Sequence, residues 1–297
     1  MRYQYIQISI ITVVWLTWFL NIGYSQAVEL ITSYYTIMIT MLFGSFVAGS
    51  TSLGGGAVAF PVFTKVLSIP SDTSLIFSLA IQSVGMSSAT LILLLTRTPI
   101  IKKVVLGSII PGAFGIYIAL FYLNDSLPNG QAKYLFSIFS LCVALVLIYD
   151  RLINHRKFKT PKPLGFSQDL SLTIITLGSF VGGLISGLIG TGIDFVLFTL
   201  MILFSKAGLK QAVTTSVCVM AINAIIGFAL IKLLTNNFTG DVINYWLAAI
   251  PVVVVGAPLG ALACKHFHRD IIFYFLLLLI LLDVISTIWI LEPKLFN

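Results

Sequence analysis

Long apolar runs, rather than any catalytic motif, determine what this chain folds into. A helix that crosses the hydrocarbon core of a bilayer needs about 20 apolar residues. The 297-residue sequence holds eleven apolar segments with short polar connections, and most of them approach that length. The sequence therefore predicts an all-α, polytopic membrane protein. The segments are Ile6–Ile22, Tyr34–Leu53, Ala57–Leu67, Leu75–Leu95, Val104–Leu123, Tyr134–Ile148, Leu170–Ile189, Ile193–Phe204, Ala212–Leu234, Val242–Ala263 and Ile271–Leu291.

The composition excludes a water-soluble enzyme. Asp, Glu, Lys and Arg make up 9% of the residues, against roughly a quarter in a soluble domain. The 17 basic residues outnumber the 10 acidic ones, but they lie between apolar runs, as in cytoplasmic loops of membrane proteins. This placement does not favour nucleic acid as a partner. The three cysteines lack metal-site spacing and no phosphate-binding loop appears, so we expect neither a metal nor a cofactor.

Two of the segments are too short to cross the bilayer. Ala57–Leu67 and Ile193–Phe204 reach only about 16–18 Å, against a core of about 30 Å. Each directly follows a glycine cluster, at Gly54–Gly56 and at Gly190–Gly192. Glycine interrupts a helix at low steric cost. Each short segment is therefore predicted to be a half-helix that begins at a break inside the membrane.

The glycine clusters belong to an internal repeat. The hexapeptide GSFVAG at Gly44–Gly49 matches GSFVGG at Gly178–Gly183 in five of six positions, and both precede a glycine break. The chain is thus interpreted as a tandem duplication, in which repeat 1 spans residues 30–149 and repeat 2 spans residues 170–297. A basic cytoplasmic linker, residues 150–169, joins them.

Loop charge predicts the orientation of the two copies. Basic residues collect in four loops, which lie on the cytoplasmic side by the positive-inside rule. One membrane topology places all four basic loops on that side, with the N-terminus inside and the C-terminus outside. Each copy holds five segments, an odd number, so the two copies are expected in inverted topology. We expect a multi-pass protein of the plasma membrane, the inner membrane of a bacterium.

Residues 1–29 precede the repeats and have two interpretations. The segment Ile6–Ile22 is either an extra membrane span or a cleaved signal peptide with a small-x-small site at Ser25–Ala27. Its length and the two tryptophans, Trp15 and Trp18, favour the retained span.

The two breaks are the candidate site for an anion. A helix N-terminus carries free N–H groups and about half a positive charge, and glycine lets a ligand approach the backbone closely. Secondary transporters built from inverted repeats place such half-helix N-termini near the bilayer midplane. Polar residues at membrane depth in two neighbouring segments add to the site. The predicted substrate-binding residues are Ser52, Gly54, Gly55, Gly56, Ser78, Gln82, Gly190, Thr191, Gly192, Ser216 and Asn223.

Ionisable residues within apolar segments are functional candidates. Asp194 lies in the first turn of the second half-helix, where its carboxylate either caps the helix or competes with an anionic substrate. We expect Asp194 to couple protons to transport. Asp283 lies within the last segment, where pairing with a polar neighbour is expected. Lys65 is interpreted as a side chain that snorkels to the interface, or alternatively as a source of positive potential at the outer mouth of the pathway.

The paired breaks resemble a known family. Gly54–Gly56 followed by Pro61, together with the second break, is similar to the sulfite exporter TauE/SafE family over roughly Tyr34 to the C-terminus. The resemblance implies transport of a small sulfur-containing or organic anion, such as sulfite or a sulfonate. The sequence departs from the family's pattern at Ser52, Thr191 and Leu197.

The leading hypothesis is therefore a secondary transporter, and not an enzyme, that exports a small anion by alternating access. Two alternatives stay open: a passive anion channel, and a cation carrier that uses the Asp194 carboxylate. An intramembrane aspartyl protease would need Asp194 and Asp283 to share a proton, and the Gly-x-Gly-Asp pattern expected of it is interrupted by Ile193.

Overall fold

The chain folds into a bundle of helices. Within the residues that the computed structural model describes, there are eleven α-helices and no strand. Seven of these helices are long and apolar enough to cross a bilayer. The prediction of a polytopic, all-α protein is confirmed. The described residues are 2–51, 56–123, 131–153, 170–205, 207–235 and 237–295.

Each helix covers one predicted apolar segment. α8 has the predicted bounds, and the others differ by a few residues at one or both ends, apart from α1. α3 and α5 continue into π-helical turns at Val62–Val66 and Ala119–Leu123. The helices are α1 (Arg2–Ser33), α2 (Tyr35–Ser50), α3 (Gly56–Pro61), α4 (Ser71–Leu95), α5 (Lys102–Ile118), α6 (Gln131–Ile153), α7 (Leu172–Ile189), α8 (Ile193–Phe204), α9 (Leu209–Leu234), α10 (Asp241–His266) and α11 (Arg269–Leu295).

Parts of two predictions lie outside the described residues. The first break is described only from Gly56, where α3 begins, so Ser52, Gly54 and Gly55 are not covered. Residues 154–169 of the predicted linker are not covered either. At the N-terminus, α1 continues past Ile22 to Ser33, with a bend at Gly23, whose φ is 80°.

The two halves of the chain interlock. α2 packs along α10, α5 packs along α7, and α4 packs against α9 and α10, so every one of these contacts joins a helix before the linker to one after it. α6 and α11 pack against each other. In the middle, residues 74–82 of α4 and 212–221 of α9 are buried without interruption. A helix that is buried on every side belongs to the core of the bundle, so α4 and α9 form its centre.

Glycines bring the interlocking helices into backbone contact. A Cβ on Gly115 of α5 would collide with the carbonyl oxygen of Phe180 in α7. A Cβ on Gly260 of α10 would collide with the carbonyl oxygen of Phe46 in α2. Phe46 and Phe180 hold the same place in the two repeated hexapeptides. Small residues at helix contacts allow this close approach within membranes.

A change at Gly115 tests the close approach. We expect Gly115→Ala to lower the free energy of unfolding by about 1–3 kcal/mol, because the added methyl meets backbone atoms that cannot move aside. Gly107→Ala is the matched control in the same α5–α7 contact. Its Cβ would meet side-chain atoms, the nearest being Ile175 Cγ2 at 3.0 Å. Thermal unfolding in lipid nanodiscs measures both variants, and equal losses would contradict the close backbone approach.

Candidate functional site

The second glycine break lies between α7 and α8 and depends on glycine for two reasons. Gly190 has φ of 81° and Gly192 has φ of 150°, a region that side-chain-bearing residues rarely adopt. A Cβ on Gly190 would also lie 2.5 Å from the Cβ of Ser78 in α4, and one on Gly192 would lie 2.5 Å from Ile185 Cγ2. The break is therefore both sharply turned and tightly packed against α4.

The first amides of α8 are satisfied by the protein itself. The N–H groups of Gly192 and Phe195 each donate to Asp194 Oδ1 at 3.1 Å. The Thr191 hydroxyl donates to the same oxygen at 3.4 Å. The N–H of Ile193 donates to Ser186 Oγ at 2.9 Å. A carboxylate in this position is favoured by the unpaired amides and the positive end of the helix dipole.

Gln82 of α4 binds the other side of the break. Its Nε2 donates to the carbonyl oxygen of Gly190 at 2.7 Å and to that of Ser78 at 3.0 Å. Because both partners are acceptors, the orientation of the amide is fixed and Oε1 faces away from them. Ser78, Gln82, Gly190, Thr191, Gly192 and Asp194, all predicted from the sequence, therefore surround one point of the structure.

The predicted residues of α9 are placed differently from those of α4. Asn223 is fully buried, donates Nδ2 to Val219 O at 3.0 Å, and directs Oδ1 toward Gly112. A Cβ on Gly112 would also meet Ile193, the first residue of α8, so Asn223 adjoins the break. Ser216 is buried and its hydroxyl donates to Val213 O of its own helix at 2.8 Å. Nothing in the described residues joins Ser216 to the second break.

Four buried polar atoms around the break have no hydrogen-bond partner among the described residues. Native interiors rarely leave such atoms unpaired, and four of the eight found among the described residues lie where α4, α8 and α9 approach one another. Three of the four are acceptors and one is a hydroxyl group. The atoms are Ser78 Oγ, Gln82 Oε1, Asp194 Oδ2 and Asn223 Oδ1.

A small cavity lies beside Gln82 at the junction of α2, α4 and α10. Its volume is about 10 Å³, roughly the space needed for one water molecule. Apolar atoms line it, although Ser45 and Gln82 are among the adjacent residues. The lining residues include Met41, Ser45, Gln82, Met86, Val253 and Ala257.

Comparison with protein families identifies the chain. The model of the family described as sulfite exporter TauE/SafE matches residues 37–286, most of the chain. The chain belongs to this family. Comparisons with curated proteins and with solved structures find no match. The match confirms the resemblance inferred from the glycine breaks. Because the family is one of membrane transporters, the chain is a multi-pass membrane protein.

The whole of α1 lies outside the TauE/SafE match. The match begins at residue 37, within α2, and α1 ends at Ser33. Both breaks, both half-helices and the central pair α4 and α9 lie inside the match. The polar atoms around the second break are thus part of the transporter core.

A second buried polar cluster lies where the first half-helix ends, and sequence reasoning misread it. Lys65 Nζ contacts Asp283 Oδ1 of α11 at 2.5 Å, and the two side chains are 3% and 6% exposed. Nζ also lies 2.6 Å from Thr287 Oγ1 and 3.0 Å from Ser286 Oγ. Ser137 of α6 donates to Asp283 Oδ2 at 2.8 Å. The interpretation of Lys65 as snorkelling is wrong, because a buried carboxylate gives its ammonium group a closer partner than the interface does.

The two buried aspartates lie in separate environments. Asp194 is bonded to the amides of its own helix, whereas Asp283 is bonded to Lys65 and Ser137. The described residues show no hydrogen-bond partner common to both. A proton-sharing dyad needs its carboxylates in contact, so this arrangement does not support the protease alternative.

Removing one charge of the Lys65–Asp283 pair tests its role. We expect Lys65→Met to cost about 3–5 kcal/mol of stability, because it leaves a buried carboxylate uncompensated. The double variant Lys65→Met/Asp283→Leu should recover most of this loss, since no buried charge remains. Lys232→Met, at the exposed end of α9, is the control and should unfold like the wild type. Thermal unfolding measures the stability of each variant. A double variant no more stable than Lys65→Met would contradict the pairing.

Proposed function

We propose that this TauE/SafE protein is a secondary transporter that exports a small sulfur-containing or organic anion, such as sulfite or a sulfonate. The observation that carries the proposal is the buried start of α8, where amides, the Asp194 carboxylate and unpartnered polar atoms meet beside Gln82. A helix N-terminus in a low-dielectric setting replaces the hydration that an anion loses on entering. The substrate class follows from the family.

The proposed mechanism is competition between the substrate and Asp194. An ionised carboxylate holds the amides that an anion needs, and two like charges a few ångströms apart repel strongly inside a protein. Protonation of Asp194 removes that repulsion and weakens its hold on the Gly192 and Phe195 amides. The unpartnered Oδ2 gives the proton a place to reside. Binding of one anion is therefore linked to uptake of one proton, which makes Asp194 the coupling residue.

We further propose that the two halves are inverted copies and that transport proceeds by alternating access between them. The matching glycine contacts, Gly115 with Phe180 and Gly260 with Phe46, support this symmetry. By the same correspondence, Ser216 of α9 is the counterpart of Ser78 of α4. The basic loops support a cytoplasmic N-terminus, an outer C-terminus and residence in the plasma membrane.

A cation carrier is the second candidate, because one observation favours it. Three of the four unpartnered atoms, Gln82 Oε1, Asp194 Oδ2 and Asn223 Oδ1, are acceptors, and oxygen acceptors are what a hard cation binds. In that mechanism the Asp194 carboxylate would bind the transported ion directly. A passive anion channel would use the same break without a binding cycle.

Counterflow in vesicles tests the transporter against these alternatives. Proteoliposomes loaded with unlabelled sulfite should transiently accumulate labelled sulfite, because a carrier exchanges one anion for another across a saturable site. A channel equilibrates the label without this overshoot. Accumulation of a monovalent cation that no sulfur-containing anion affects would favour the cation carrier, and would overturn the proposal.

The Gln82 contact gives this assay a matched pair of variants. We expect Gln82→Leu to reduce sulfite exchange about tenfold, because it leaves the Gly190 carbonyl oxygen without its donor at a cost of about 1–3 kcal/mol. Ser88→Ala is the control on the same helix, since the Ser88 hydroxyl bonds only to Gly85 O of its own helix among the described residues. Wild-type exchange by Gln82→Leu would exclude the second break from the site.

The pH dependence of exchange tests the role of Asp194. With a sulfonate as substrate, whose charge is constant over the pH series, wild-type exchange should rise as the pH falls, because the anion binds when Asp194 is protonated. In Asp194→Asn the amide cannot titrate, and the rate should not change with pH. Asp72→Asn, at an exposed position in the first turn of α4, should keep the wild-type profile. An unchanged pH profile in Asp194→Asn would refute proton coupling at this residue.

A further inference from the structure

A proline in α10 leaves one backbone carbonyl without its helical donor. In an α-helix the carbonyl of Leu247 accepts from the N–H four residues later, and that residue is Pro251, which has no N–H. Inside a bilayer no water is present to replace a missing donor, so an unpaired carbonyl is costly. A hydrogen bond from another part of the protein offsets this cost.

α1 supplies it. The indole Nε1 of Trp18 donates to Leu247 O at 2.7 Å. One turn away on the same face of α1, Trp15 Nε1 donates to Pro251 O at 2.9 Å. These two acceptors differ, because the carbonyl of Pro251 faces the N–H of Val255 in the regular helix. Trp18 supplies the hydrogen bond that Leu247 O lacks within the helix. Trp15 adds a second donor to Pro251 O, which has a helical donor of its own.

From these contacts we infer that α1 is an accessory span of the mature transporter, and that Trp18 stabilises α10 at Pro251 by pairing with Leu247 O. The surface involved is the Trp15–Trp18 face of α1, and its partner is α10 of the same chain. Trp18 is half-buried against the core, while most of the remaining α1 surface is exposed. All of α1 precedes the family match at residues 37–286, so this role lies beyond the family's transporter core.

The position of Pro251 connects α1 to the polar site. Directly after Pro251, α10 carries Val253 and Ala257 into the cavity beside Gln82. A Cβ on Gly85 of α4 would collide with Val253 Cγ1, so α10 lies tightly against α4 at that level. An internal proline weakens a helix where the backbone hydrogen bond is missing. By pairing with Leu247 O at that point, Trp18 stabilises the part of α10 that packs beside Gln82.

A double-mutant cycle between Trp18 and Pro251 tests the inference. Trp18→Phe retains a large aromatic ring but removes the donor, and should lower the melting temperature in nanodiscs by about 2–4 °C. Pro251→Ala restores an N–H to the helix, so Leu247 O no longer needs the indole. The double variant Trp18→Phe/Pro251→Ala should therefore melt at the same temperature as Pro251→Ala. If Trp18→Phe does not accumulate in the membrane, recovery of the protein in the double variant is the equivalent result.

Two further measurements separate the hydrogen bond from general packing. Trp15→Phe should lower the melting temperature less than Trp18→Phe, because Pro251 O keeps its helical donor. The intact mass of the purified membrane protein should include residues 2–33. The inference is overturned by equal losses in the two single variants, by a Trp18→Phe loss that persists in the Pro251→Ala background, or by a mature chain without α1.

Discussion

Backbone amides at a helix break inside a membrane have no water to pair with, and the site of this protein is built around that constraint. The break between α7 and α8 exposes the amides of Gly192, Ile193 and Phe195. Asp194 and Ser186 accept hydrogen bonds from them in the described conformation. The carboxylate thus does what a bound anion would do, and the proposed competition between substrate and Asp194 rests on this.

The same constraint recurs elsewhere in the bundle. Gln82 pairs with the carbonyl oxygen of Gly190, which the left-handed turn takes out of the helix ladder. Trp18 pairs with the carbonyl that Pro251 leaves free. Lys65 and Asp283 neutralise each other at the end of the first half-helix. At each of these three places a side chain from another helix supplies the partner, so the helices are tied together there.

Features set by local sequence were predictable, and features set by pairing between distant residues were not. Helix positions follow from the length and hydropathy of apolar runs, and the second break follows from Gly190 and Gly192. Placing Ser78 and Gln82 in the site rested on their depth in a helix, but which break they face was not predictable. The Lys65–Asp283 pair and the Trp18 contact depend on packing between segments far apart in sequence. For Asp283, its depth in an apolar helix indicated that a partner was needed.

The central claim is that the substrate and the Asp194 carboxylate compete for the same amides. Proton uptake on anion binding tests this claim most directly. Calorimetric titration with thiosulfate, which stays fully ionised near neutral pH, gives the protons exchanged when it is repeated in buffers of different ionisation enthalpy. The account predicts uptake of about one proton per bound anion in the wild type and none in Asp194→Asn. Binding without proton uptake in the wild type, or equal uptake in both proteins, would contradict it.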